Sequence, residues 1–272
     1  MVELLVVVAI IGILAGLLLP ALSKAQVRAQ GIACLANLRQ LGHAWFLYAS
    51  DNNGRLAINY PILSPGQPNP DDWFWGYAAW PHNPDYGPAP QYTCTNVWCA
   101  QSSKLFPYYR SLDVTRCPSD RRTVGGLPVV RSVAMNSWLN GRSYGDPSGN
   151  TVKAIDPPEK DRSLSYVLFR KEAQLAQPAN IWVMIDEDAQ SINDSMFVVD
   201  MDGKFGLADA PARRHANAYG LNFADGHSEI YRLTDARSIN WKTLPVPVSG
   251  RLNQDWLRLR SLSTLRNQER TD

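Results

Sequence analysis

The sequence predicts an α+β chain in which one long amino-terminal helix, transmembrane at first and amphipathic afterwards, packs on an antiparallel β-sheet head. Three observations predict it. Residues 4–19, LLVVVAIIGILAGLLL, include no charge. Leu35, Leu38, Leu41, Trp45 and Tyr48 then recur at three- and four-residue steps, the stripe of a helix with one buried face. Farther on, short β-branched or aromatic segments alternate with Gly, Asn, Asp and Pro, as strands do between turns.

The length of 272 residues suits one globular body plus an anchoring element, and a hydrophobic share of 45% supplies its core. A formal charge of +2 makes no case for a nucleic-acid partner. Nine Trp, eleven Tyr and 19 Pro point to a loop-rich body whose irregular cores are closed by aromatic rings.

At about 1.5 Å per residue the first apolar run covers most of a bilayer core. Its β-branched residues are tolerated because lipid forces the backbone to satisfy its own hydrogen bonds. A secretory signal would carry a positive stretch ahead of the run, whereas only Met1 and Val2 precede Glu3. Glu3 is the informative residue. A carboxylate drawn to the bilayer centre costs about 2.5–3.5 kcal/mol, so it either finds a partner or stays at the aqueous end of the helix dipole. Gly12 and Gly16 allow close helix approach. Pro20 removes a backbone donor and is expected to kink or locally melt the helix. Asp51-Asn52-Asn53-Gly54 ends a helix of about 50 residues.

Residues 58–107 are dense in Pro, Asn, Gly and aromatics and read as an irregular insertion. Cys94 and Cys99 enclose TNVW and suit a short disulfide loop, leaving Cys34 and Cys117 as the second pair, although four cysteines allow three connectivities. As a zinc half-site Cys94 and Cys99 would need a second Cys/His pair at suitable spacing, and the sequence shows none. Downstream, VVRSVAMNSWL, SYVLF, NIWVMID, FVVD, YGLNFAD and HSEIYRL read as strands, with Asp225-Gly226 as a hairpin turn. His215 is expected to bond a turn backbone or a carboxylate.

Asp186, Glu187, Asp188 and Asp194 form an acidic cluster, and Asp200-x-Asp202-Gly203 matches part of a calcium loop without its third ligand and terminal Glu. Calcium is therefore the one cofactor the pattern admits; none is otherwise expected. His215, Asp225, His227 and Asp186 could compose an acid–base set, but no nucleophile elbow, zinc-protease helix or phosphate loop accompanies them, and the reading is non-enzymatic.

MVELLVVVAIIGILAGLLLPALSKA resembles the methylated amino-terminal segment of type IV pilins and type II secretion pseudopilins, which carry a Glu and, seventeen residues later, a Pro, as Glu3 and Pro20 stand here. The resemblance implies a leader, its Gly and two further residues ahead of Met1. It also implies a prepilin peptidase acting on the precursor, and a single pass through a bacterial inner membrane with the head periplasmic or extracellular. Lys24 and Arg28 alone would suggest the reverse orientation; in the family a basic leader outweighs them. The implied partners are other pilin or pseudopilin subunits and membrane lipid, with Glu3 pairing with a neighbouring subunit's terminal amine. A second likeness spans most of the chain. Cys34-x-x-Asn37-Leu38-Arg39-Gln40, Arg116-Cys117-Pro118-Ser119-Asp120, Ile185-Asp186-Glu187 and His215-x9-Asp225-Gly226 are similar, in order, to segments of a large group of pilin-like proteins. Some major pseudopilins bind calcium, which keeps the acidic cluster in view.

The expected organisation is therefore a helix over residues 1–54 (membrane part about 2–20), a head over 55–241 with the insertion 58–107 and the His-x9-Asp-Gly region 213–233, and a peripheral polar tail over 242–272. The expected function is a filament subunit. The alternative is a membrane-anchored binding protein that grips a glycan or other ligand with Trp73, Trp75, Trp80 and Trp98.

Overall fold

The structure, a computed structural model, describes residues 2–59, 62–64, 67–68, 71–74, 95–141, 166–199, 201, 207–244, 246 and 253–265. Trp75, Trp80, Cys94, Asp200 and Asp202 lie outside them, and so do the expectations that fell on them.

Helix α1 is a single element, Val2–Asp51. The local melting expected at Pro20 does not occur, because a proline removes only the bond to the carbonyl four residues back and the neighbouring turns carry the helix across. Its most apolar stretch is wholly exposed, Leu4, Leu17 and Leu22 among it, and the helix is long and apolar enough to cross a membrane. Burial begins at Gly31 and continues through Cys34, Leu38, Leu41, Gly42, Ala44, Trp45 and Ala49, while Arg39 and Gln40 stay outside. Burying a Leu side chain contributes about 1.5–3 kcal/mol, so this stripe fixes the helix to the body. The end is built as the sequence implies. Asn53 and Gly54 take positive φ, the Gly54 N–H donates to the Ala49 carbonyl (2.8 Å), and Asn52 Nδ2 donates to the Tyr48 carbonyl (2.8 Å).

Two small antiparallel pairs come first among the strands: β1 (Ile62–Ser64) with β2 (Gln67–Pro68), and β3 (Thr123–Val124) with β4 (Leu127–Pro128). The main sheet contains β5 (Val133–Asn136), β6 (Trp182–Asp186), β7 (Met196–Phe197), β8 (Ala218–Phe223) and β9 (Ser228–Arg232), in the order β7-β5-β6-β8-β9. All its pairings are antiparallel except β5 with β7, so the expected antiparallel sheet acquires one parallel edge. Among its described residues, 166–169, SYVLF forms no strand, and Phe169 makes an isolated bridge to Leu139. Short helices α2 (Val97–Gln101), α3 (Phe106–Tyr109), α4 (Ala236–Ile239) and α5 (Gln254–Ser261), with 3-10 turns at Leu112–Thr115, Glu172–Gln174 and Pro178–Asn180, complete the described elements.

The sheet is covered on both faces, which is why every residue of β8 is buried. Tyr219, Leu221 and Phe223 share one core with Trp256 and Leu259 of α5; Gly220 and Asn222, alternating with them, meet α1. Residues 253–265 are therefore not the peripheral tail expected from their polarity. Trp256 and Leu259 are inside, Trp182 Nε1 donates to Ser263 Oγ (3.0 Å), and Asn136 Nδ2 donates to the Ser263 carbonyl (2.9 Å). A few apolar anchors and paired polar groups suffice to dock a segment whose average composition is polar.

Where α1 crosses β8 the two backbones come close. A Cβ on Gly42 would stand 2.2 Å from Asn222 Oδ1, and one on Gly220 would stand 2.5 Å from Leu38 Cδ1. Asn222 cannot swing away freely, since its Nδ2 donates to the His227 carbonyl (3.1 Å) and Ser228 Oγ (3.1 Å) across the hairpin. Gly42→Ala is expected to destabilise the protein by about 1–3 kcal/mol despite the better helix propensity of Ala, read as a lowered thermal midpoint. An unchanged or raised midpoint would show that the crossing can relax.

Candidate functional site

Under the first buried turns of α1 the sequence motifs meet. Cys34 of α1, Cys117 of the loop before β3, Asp186 at the end of β6 and His215 just before β8 are all buried, and one ligand-type atom from each lies within 4.8 Å of every other. His215 Nε2 is 3.2 Å from Cys117 Sγ. Cys34 and Cys117, the expected second disulfide pair, lie together in this cluster as free, buried cysteines.

Each residue is placed by a local reason. Asn37, one turn after Cys34, donates through Nδ2 to the carbonyls of Asp113 (3.0 Å) and Arg116 (3.2 Å), and Ser119 Oγ donates to Gln30 Oε1 (3.0 Å), so α1 grips the Cys117 loop on both sides. The Cys117 N–H donates to Ser132 Oγ (2.8 Å), whose hydroxyl donates to Asp186 Oδ1 (3.1 Å). Arg214 Nη1 donates to the same oxygen (2.6 Å) and to the Glu187 carbonyl (2.8 Å), and its other arm reaches Asp120 Oδ2 (3.3 Å). Asp120 is also held by Arg122 (2.7 Å). Gly31 passes over the His215 ring; a Cβ there would lie 3.7 Å from it.

The electrostatics are those of a dry cluster. Burial pushes the Asp186 carboxyl up to about 7 against the pull of Arg214. The Cys34 hydrogen bond holds the Cys117 thiol well below its usual range, with His215 adding to it against burial, while Cys34 is pushed up by the same contact and by burial. Asp186 Oδ2 and His215 Nδ1 have no hydrogen-bond partner among the described residues. Cys117 is 1% and His215 5% exposed, so no substrate reaches them in this conformation.

The remaining expected site residues disperse. Asp225-Gly226 forms the hairpin turn, with Gly226 at φ 93° and the His227 N–H donating to Asp225 Oδ1 (3.1 Å). His215 lies beyond the other, open end of that hairpin, because Ala218 pairs with Arg232 and Asn222 with Ser228. The nine intervening residues thus span β8, about 20 Å of strand, and the acid–base set of His215, Asp225, His227 and Asp186 does not assemble. Glu3 and the helix around it are exposed. Cys99 is buried. Trp73 is fully buried, its Nε1 donating to Asn59 Oδ1 (3.1 Å) and the Ser195 carbonyl (3.0 Å), while Trp98 is exposed.

The acidic cluster divides into separately engaged groups. Asp188 pairs with Arg213 (3.0 Å), Glu187 Oε1 accepts from Ser191 Oγ (2.7 Å), and Asp194 Oδ1 accepts from the Met196 N–H (2.8 Å). Asp209, absent from the sequence reading, accepts from the Val198 N–H (2.6 Å) and belongs electrostatically with Glu187 and Asp194. The fully buried Arg131, which donates to the carbonyls of Val133 and Asp194 (2.6 Å each), faces the same group.

Comparison with protein-family models, with curated proteins and with solved structures finds no match to this chain.

Burial, with Asp194 adding to it, raises the Asp209 carboxyl to about 8, and burial brings Asp194 to about 6 against the Met196 N–H and Arg131. The folded state then holds protons that the unfolded chain releases near pH 4, so these groups lower stability as pH rises from about 4 through about 8. Asp209→Asn, which keeps an acceptor for Val198, is expected to make that decline shallower in denaturation profiles of the full chain. Equal slopes in variant and parent would sink this assignment.

Proposed function

We propose that the protein is a structural subunit of a pilin-like filament, inserted in a bacterial inner membrane and assembled through α1. The observation that carries this reading is the division of one continuous helix. Its apolar first half is exposed along its length, and its second half is bound along one face to an α+β body. An exposed apolar cylinder of that length requires cover, from lipid before assembly and from sister helices after it. The Glu3–Pro20 spacing supports the same reading. On this reading Glu3, in the first turn of the helix, meets a cation from a neighbouring copy when the helices bundle, since a carboxylate in an apolar bundle needs one.

The mechanism is non-enzymatic: Glu3 orients incoming subunits, the apolar half of α1 forms the filament core, and the head presents the surface. The head is periplasmic or extracellular on this reading. A ligand-gripping insertion draws less support, because Trp73, the one indole of its cluster seen to be fully enclosed, is committed to the core.

Full-length chain carrying a cysteine in turn at Val8, Ile11 and Leu18 is expected to form covalent multimers on oxidation in native membranes. Glu3→Ala is expected to reduce their yield about tenfold, a loss of about 1.4 kcal/mol, without releasing the chain from the membrane. Only random-collision dimers, insensitive to Glu3, would refute assembly through α1.

A further inference from the structure

We propose that Cys34, Cys117, Asp186 and His215 form a structural zinc site that fastens α1 to the body. This inference stands apart from filament assembly, since it concerns only how the chain holds its own helix.

Geometry comes first. Four ligand-type atoms from four different elements lie within 4.8 Å of one another. Ligands at about 2.0–2.3 Å from a tetrahedral zinc stand roughly 3.3–3.8 Å apart, so the set needs to contract by only about 1 Å. Two sulfurs, one imidazole and one carboxylate suit a borderline-soft, tetrahedral ion far better than calcium, which takes six or more oxygens.

The hydrogen bonds leave one Asp186 oxygen over, and His215 Nε2 already points at Cys117 Sγ (3.2 Å). Asp186 Oδ1 is occupied by Ser132 and Arg214, whereas Oδ2, in a side chain with 0% exposure, has no partner among the described residues. A bare buried carboxylate oxygen is costly unless something meets it. A disulfide between Cys34 and Cys117 would occupy both sulfurs and leave Asp186 Oδ2 and His215 Nε2 without a bonding partner in a closed interior. A metal ion meets all four at once.

Charge also closes. Two thiolates and a carboxylate around a dication leave about one negative charge, and Arg214, hydrogen-bonded to Asp186, is beside it. Metal binding would release to solvent the Cys34 thiol proton and whatever protons the other three ligand atoms carry, with no change of oxidation state. Enclosure of all four residues marks a closed structural centre rather than one with an open catalytic position.

The test uses the full-length chain in detergent, reduced and stripped with a chelator, then given zinc(II) or cobalt(II) salt alone. One zinc per chain should survive gel filtration and raise the thermal midpoint, and cobalt should give a tetrahedral, thiolate-to-metal charge-transfer spectrum. Zinc should also protect Cys34 and Cys117 from alkylation. Cys117→Ser and Asp186→Asn should each weaken zinc binding by at least about tenfold. Should either variant fail to fold, the cobalt spectrum and the alkylation pattern of the parent chain decide alone. Failure of the reduced chain to retain zinc, a cobalt spectrum without thiolate character, or recovery from native membranes of a Cys34–Cys117 disulfide in a chain that takes up no metal once reduced would overturn the site.

Discussion

The close crossing of α1 over β8 governs much of what surrounds it. Leu38 occupies the space that a side chain on residue 220 would fill, and Gly42 lets the helix backbone settle against Asn222. A helix can approach a sheet this closely only where both surfaces lack bulk. With Leu38 and Gly42 fixed, Cys34 must lie one turn back over the sheet end, where Cys117, Asp186 and His215 converge. Residues still earlier on the helix then run past the edge of the body, and burial ceases before Arg28.

Charge is managed inside this fold by placing cations where carboxylates have no water. Arg214 bridges Asp186 and Asp120, joining the end of β6 to the loop that carries Cys117. Arg131 does the corresponding work on the other side, bonding two carbonyls and lying over the Phe74 ring. Such arrangements rarely add stability over a well-packed apolar core, but breaking one partner is costly, so they favour one arrangement of the loops over others.

The helix, its terminator and four of the main-sheet strands were legible because each has a local cause. The stripe from Leu38 to Trp45 has helical period, Asn53-Gly54 supports positive φ, and Asp225-Gly226 sets a hairpin turn. Residues 253–265 were misjudged because Trp256 and Leu259 anchor the segment and several of its polar residues, Asn253, Asp255 and Ser263 among them, are buried and paired rather than solvated. SYVLF was misjudged because strand propensity needs a neighbour along its whole length, and Phe169 finds one only at Leu139. The sequence offers these residues only as two separate groupings, Cys34 with Cys117 and His215 with Asp186. A ligand set drawn from positions 34, 117, 186 and 215 has no sequence spacing to betray it; only the crossing of α1 over the sheet brings its members together. Asp209 carried no local signal, since its company is supplied by other loops.

A rod clamped at one end and unsupported at the other is a cantilever, and α1 has that form: clamped from Gly31 to Ala49 and bare before it. Any sideways load on the free arm produces its greatest bending moment where the clamp begins. That point is the turn from Gly31 to Cys34, directly above His215 and Cys117. The chain therefore meets its largest leverage with the most heavily cross-connected part of its interior, and a force on the apolar arm would be felt there before it reached the rest of the sheet.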